Sequence, residues 1–153
     1  MAKSAGRETD PLIGFQFRLE LAGEITGYFS ECSGIGSENE IVEHKVVDEN
    51  GHEYIQKMPG RLKWNDVTLK RGITDNIQIW KWREKVEKGN MKEARKNCSV
   101  VMLDRDYQDA ARWDFLNAWP SKVTGPELKA DSNDFGVEEV VIVHEGMKRA
   151  EKP

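Results

Sequence analysis

Cysteine is scarce in this 153-residue chain: Cys32 and Cys98 stand far apart and form no C-x-x-C pair. That excludes a zinc ribbon or a redox couple from local spacing and leaves buried free thiols of a reducing compartment as the default. Histidine is equally thin, for His44, His52 and His144 fall in different segments without H-x-x-x-H or H-x-H spacing. No metal and no cofactor is therefore expected. Long apolar runs are missing too: the longest are VVML and VVIV, and the leading MAKSAGRETDPLIG has charges with no apolar stretch behind them. Neither a secretion signal nor a spanning segment is expected, and so no direct membrane insertion. Nor is there a surplus of positive charge, since 23 basic residues face 27 acidic ones for a net charge of -4. No overall basic field recruits phosphate backbones.

The chain also lacks a glycine-rich phosphate loop, a G-x-S-x-G elbow and a cysteine with a local activating signature, and none of its many carboxylates is singled out as an acid–base pair. The expectation is a protein that is not an enzyme. DRDYQD at 104–109 starts like a calcium loop but carries Asp109 where the glycine belongs and Phe115 where the closing glutamate belongs. A hairpin turn accounts for it better.

What is present is charge, 33 % of residues, spread over alternating patterns. A chain of this length buries about 68 to 70 % of its unfolded surface as one domain. Residues 1–10 read as a flexible N-terminal arm and 11–153 as a single domain. In GFQFRLEL, Phe15, Phe17, Leu19 and Leu21 alternate with polar residues, a half-buried strand closed by a turn at Ala22-Gly23. A strand through ITGYFSEC and a glycine-rich corner, SGIGS, follow. ENEIVEHKVVDENGHEYIQKMPG predicts a long hairpin turning at Glu49-Asn50-Gly51, because Asn-Gly supplies positive φ. Its strands are charged on both faces, so it is either a solvated flap, the simpler reading, or an arm that packs on another subunit.

MPGRLKWNDVTLKRG at 58–72 is the basic stretch. Leu62 and Trp64 share a face, the phase slips at Asn65-Asp66, and Val67, Leu69 and Arg71 continue on that side, which predicts one bulged, curving strand with Leu62 and Trp64 in the core. A single-strand nucleic-acid barrel needs exposed aromatics beside its cations, whereas Trp64 takes the apolar face. The one convincing helix is DNIQIWKWREKVEKG, capped by Thr74 or Asp75 with Gln78 completing a capping box, ended by Gly89, and striped by Ile79, Trp82 and Val86. NMKEARKN reads as a loop. Strands resume at CSVVMLD and AARWDFLNAW, stop at Pro120, return briefly at SKV, cross the polar loop ADSNDFG and end in VEEVVIVHEG. The count is eight to nine strands and one helix: mainly β (α+β), an antiparallel barrel or sandwich of two packed sheets with one flanking helix.

Taken in order, GFQFRLEL, GYFSECSGIGSENEIVEH, MPGRLKWNDVTLKRGIT, the helix with IWKW, NCSVVMLD, WDFLNAWPSKVTGPELKA and VEEVVIVHEGM resemble the phage tail tube protein family over residues 11–147. The resemblance is to inner-tube proteins of contractile phage tails and extracellular contractile injection systems, similar to the tube protein of type VI secretion. It implies a tail-tube-like fold whose six copies close a ring, rings that stack into a hollow tube, and a sheath whose contraction propels it. Implied partners are other copies, the sheath, baseplate or tube-initiator proteins, a tube-terminating cap and lumenal cargo, with nucleic acid only if a phage genome passes through. The implied setting is assembly in the bacterial cytoplasm, as part of a particle released or membrane-anchored. The resemblance turns the flap into a ring-stacking hairpin, with Glu43, Lys45, Asp48, Asn50, Gly51, His52 and Glu53 as its candidate contacts. Lys63, Lys70 and Arg71 become candidate subunit contacts or tube-wall charges. A tube-initiating paralogue at the baseplate and, from another class, a small nucleic-acid-binding β-barrel using those three cations are the alternatives.

Overall fold

A computed structural model describes residues 16–126 and 136–151. The expected arm at 1–10 and most of ADSNDFG lie outside the described residues. Among the described residues ten strands and two helices follow one another: β1 (Phe17–Leu21), β2 (Glu24–Phe29), β3 (Glu31–Ser33), β4 (Ser37–Val47), β5 (Glu53–Trp64), β6 (Val67–Gly72), α1 (Gln78–Glu87), α2 (Met91–Ala94), β7 (Lys96–Leu103), β8 (Asp109–Thr124), β9 (Val137–Val143) and β10 (Gly146–Arg149). All pairings are antiparallel. The expected class holds.

The body is a sheet in the order β2-β1-β7-β8-β9-β6-β3, with β10 added to β8. Its two ends are consecutive in the chain, because only Ser30 separates β2 from β3, and the Ser30 N–H donates to the Lys70 carbonyl at 2.9 Å. The sheet therefore curls into a barrel. β8 makes the opposite corner: residues up to Ala118 pair with β7, while Trp119–Thr124 pair with β9. Pro120 does not stop this strand. It lies at a register shift where the ladder is already broken, so its missing N–H costs no ladder bond, and Asn117 at φ +48° turns the chain just before it. AARWDFLNAW and SKV are consequently one strand of 16 residues.

Inside, Leu19, Phe29, Val67, Leu69, Val100, Phe115, Val140 and Ile142 form the core, and α1 closes it with Ile79 and Trp82. The Trp82 indole N–H donates to the Ala94 carbonyl at 2.6 Å, which ties α1 to α2. That short helix forms within NMKEARKN, expected as a loop; Ala94 fills the space beneath it with no exposure. α1 starts later than its capping signals suggest. The Asn76 side chain, not Thr74 or Asp75, accepts the Gln78 N–H at 2.9 Å, and Thr74 instead accepts the Asn76 N–H. Its end is as read: Gly89 at φ +78° lets its own N–H reach Val86 O and the Asn90 N–H reach Lys85 O, a Schellman closure.

Candidate functional site

β4 and β5 form a two-stranded sheet of their own, outside the barrel. Strict pairing runs from Ile41 opposite Pro59 to Val47 opposite Glu53, and a register shift near Gly60 bends the ribbon closer to its root. Gly60 has a reason: a Cβ there would stand 3.0 Å from both the Glu40 carbonyl and a Val42 methyl. An eleven-residue strand reaches about 35 Å, the diameter of a small domain.

The tip is built by Asp48. Its carboxylate accepts the Asn50 and His52 N–H groups at 2.9 and 2.8 Å, and its carbonyl accepts the Gly51 N–H at 3.1 Å. Only Gly51 takes positive φ, +80°, so the turn is a three-residue loop with a glycine bulge and not the two-residue Asn-Gly turn. The DRDYQD hairpin repeats the design: Asp104 caps Asp106 and Gln108, and Tyr107 at φ +60° occupies the glycine's place. A turn, and no calcium loop, is what that motif encodes.

Glu43, Lys45, Asp48, Asn50, Gly51, His52 and Glu53 are brought together at the free end, all exposed. So are Ile41 at 66 %, Val47 at 60 % and Ile55 at 55 % exposure. Apolar side chains occur on both faces, since Val42 and Met58 lie opposite each other one residue out of phase with the Ile41–Pro59 pair. Burying such residues is worth roughly 1.5–3 kcal/mol each, and here that gain is unrealised.

At the root, His144 holds ribbon to barrel. One ring nitrogen lies 3.0 Å from the Asn65 carbonyl and the other 3.2 Å from Gly146 O, while the ring meets Phe115 edge-on at 4.7 Å and Trp64 at 5.9 Å. Trp64 is half-buried and Leu62 is 50 % exposed, so neither enters the core as expected. The slip at Asn65-Asp66 is not a bulge in one strand: it separates β5 of the ribbon from β6 of the barrel. Alternation looks the same in both cases.

The three basic candidates part company. Lys63 is exposed, and Lys70 is half-exposed with Glu139 at 3.9 Å. Arg71, expected at the surface, is buried at 1 % exposure. Its Nε donates to Glu138 at 3.2 Å, its Nη2 to the Asn76 carbonyl at 2.8 Å, and its guanidinium lies over the Phe29 ring at 4.9 Å. Glu138 also accepts the Trp80 indole N–H at 3.1 Å. Lys63, Lys70 and Arg71 therefore do not make one basic face for a nucleic acid to track.

A charged lattice missed in the sequence covers the outward face of β1, β7 and β8. Arg18 pairs with Glu20 at 2.8 Å and Asp109 at 3.0 Å, and Arg112 with Glu20 at 3.1 Å and Asp114 at 3.0 Å. Ser99 joins it, donating to Asp114 at 2.6 Å and accepting from Arg112. Strand alternation gives these positions; only register gives their pairing.

Among protein families, the model of the T4-like virus tail tube protein gp19 matches residues 14–148. Solved structures share the fold at low identity. A chain in the structure of the anti-feeding prophage cap, its tube-terminating cap, aligns with TM-score 0.69 at 20 % identity, over 90 % of this chain and 89 % of that one. A chain of the PVC sheath–tube complex, an extracellular contractile injection system in its extended state, gives 0.63 at 21 %, over 89 % and 88 %. Hcp1 from Flavobacterium johnsoniae gives 0.55 at 16 %, over 88 % and 94 %. No curated protein sequence matches.

Proposed function

The chain belongs to the T4-like virus tail tube protein family, and from that premise we propose how it builds a tube: six copies close a ring, and rings stack through the β4–β5 ribbon into the inner tube of a contractile injection particle or phage tail. It is a structural subunit, and the proposal gives it no catalytic role. The ribbon is the observation that carries this. A free-standing pair of strands is marginal in water, and this one exposes apolar side chains on both faces, so it becomes stable by packing against another copy. Ring closure is the common way for a protein to cover such surfaces with repeated identical contacts.

In this reading the lattice on β1, β7 and β8 is the lumen wall. Its cations are already matched by carboxylates, which leaves little unbalanced charge to hold passing cargo. A sheath, a baseplate initiator and a terminating cap are the proposed partners, assembly takes place in the bacterial cytoplasm, and the finished particle is released or membrane-anchored. Electron microscopy of the purified chain at rising concentration tests the reading: rings and tubes are expected, and a protein that remains monomeric throughout sinks it. Copy number in native particles separates a tube subunit, present many times, from a baseplate initiator confined to one ring.

A further inference from the structure

The ribbon's free end is acidic. Residues 43–53 hold Glu43, Asp48, Glu49 and Glu53 against Lys45 alone. Asp48 is engaged locally, by backbone N–H groups and by His52 at 3.5 Å, while Glu43, Glu49 and Glu53 make no ion pair among the described residues. The helical flank is the reverse. Between residues 78 and 97 seven basic residues face three acidic ones. Two of those acids are taken within α1, Glu84 by Lys88 at 2.7 Å and Glu87 by Arg83 at 4.0 Å. Lys81, Lys85, Lys92, Arg95 and Lys96 make no ion pair among the described residues.

These cations share a side. Ile79 and Trp82 turn inward, so Lys81, Lys85 and Lys88, at i, i+4 and i+7, form the outer stripe of α1, which α2 and its exposed Lys92 and Arg95 continue. No ion pair or hydrogen bond joins tip and flank within one subunit. Both also carry unpaired apolar surface: Val47, Tyr54 and Ile55 near the tip, and Ile77 at the head of α1 with 51 % exposure. An acidic, partly apolar tip on a ribbon about 35 Å long, and a partly apolar flank whose cations outnumber its acids, are complementary surfaces of one chain.

We infer that the acidic tip of the β4–β5 ribbon docks on the basic α1–α2 flank of a second copy, a contact between different patches that propagates and does not close on a pair. This rests on the tube reading and specifies where the ribbon lands. Opposite charges then steer the incoming subunit and fix its register, while the apolar neighbours supply contact area.

The test is charge reversal with compensation. One variant carries Lys81→Glu, Lys92→Glu and Arg95→Glu; another carries Glu43→Lys, Glu49→Lys and Glu53→Lys; a third combines all six. Every site is exposed, so all three fold, and circular dichroism with thermal melting checks that they do. Each single-sided variant is expected to form only short tubes or rings near 0.1 M salt, with the six-fold variant recovering tube length. Wild-type elongation is expected to need about tenfold more protein at 1 M salt, where screening shortens to about 3 Å. Folded single-sided variants that form tubes of normal length, or a combined variant no better than either, overturn the docking site while leaving the tube reading intact. Wild-type protein that forms no tubes at any salt overturns both.

Discussion

Buried ionic groups make the sharpest residue-scale statements. Arg71 and Glu138 are each below 10 % exposure and share a hydrogen-bond network: Glu138 holds Arg71 and Trp80, and Arg71 holds the chain leading into α1 through Asn76 O. Removing one partner leaves an uncompensated charge inside, a loss of about 3–5 kcal/mol, whereas an apolar pair of similar volume is often neutral. Glu138→Ala should lower urea stability by that amount, and Arg71→Met with Glu138→Leu should recover most of it. A Glu138→Ala protein as stable as wild type would remove the pair from the list of structural supports. Burial pushes the Cys98 thiol up to about 12, helped by the Asp114 charge, and burial alone pushes Cys32 to about 12. Thiol reagents at pH 8 should therefore label the folded chain slowly and the denatured chain at the ordinary rate; fast labelling of folded Cys98 contradicts this. Between the ordinary value near 9 and about 12 the folded chain keeps protons that the unfolded one has lost, so these groups lower stability as pH rises through that window and do nothing below it.

At the scale of elements, turns decide how well strands are joined, and one turn is visibly suboptimal. Leu21 pairs with Glu24, which leaves Ala22 and Gly23 as a two-residue loop with φ of +51° and +86°. Alanine in the left-handed region costs about 1 kcal/mol where asparagine costs less, and Asn-Gly is the preferred pair in this turn type. Ala22→Asn should raise the melting temperature by about 2–4 °C, and an unchanged or lower value defeats the argument. Sequence reading placed this turn, the Gly51 turn, the Gly89 helix end and the inward stripe of α1, because each is set by local backbone chemistry. It did not separate β5 from β6, and it ended β8 at Pro120. Both errors concern which sheet a strand joins, and that depends on partners distant in the chain. Arg71 is a different case: alternation already put it in phase with Val67 and Leu69, and Glu138 is likewise in phase with Val140 and Ile142 on β9. Reading those two phases together signals a buried pair.

For the whole molecule, the division of labour is between a barrel that satisfies itself and a ribbon that does not. Every buried side-chain polar atom described has a partner, and both arginines of the β1–β7–β8 lattice are paired with carboxylates, so the buried polar groups of the body need no neighbour to satisfy them. The ribbon contributes almost nothing to that core, since its side-chain link to the barrel runs through His144 and the half-buried Trp64. Stability and assembly are thereby separable. Shortening the tip, residues 47–53, into a two-residue Asn-Gly turn between Val46 and Tyr54 keeps the Val46–Tyr54 pair and everything below it in register. The shortened chain should melt within about 2–4 °C of wild type, a change on the order of 1 kcal/mol for a domain of this size, and should still close rings seen by electron microscopy. It should not elongate. An unfolded product means that the ribbon belongs to the folding unit after all, and tubes of normal length mean that the tip is not what one ring offers to the next.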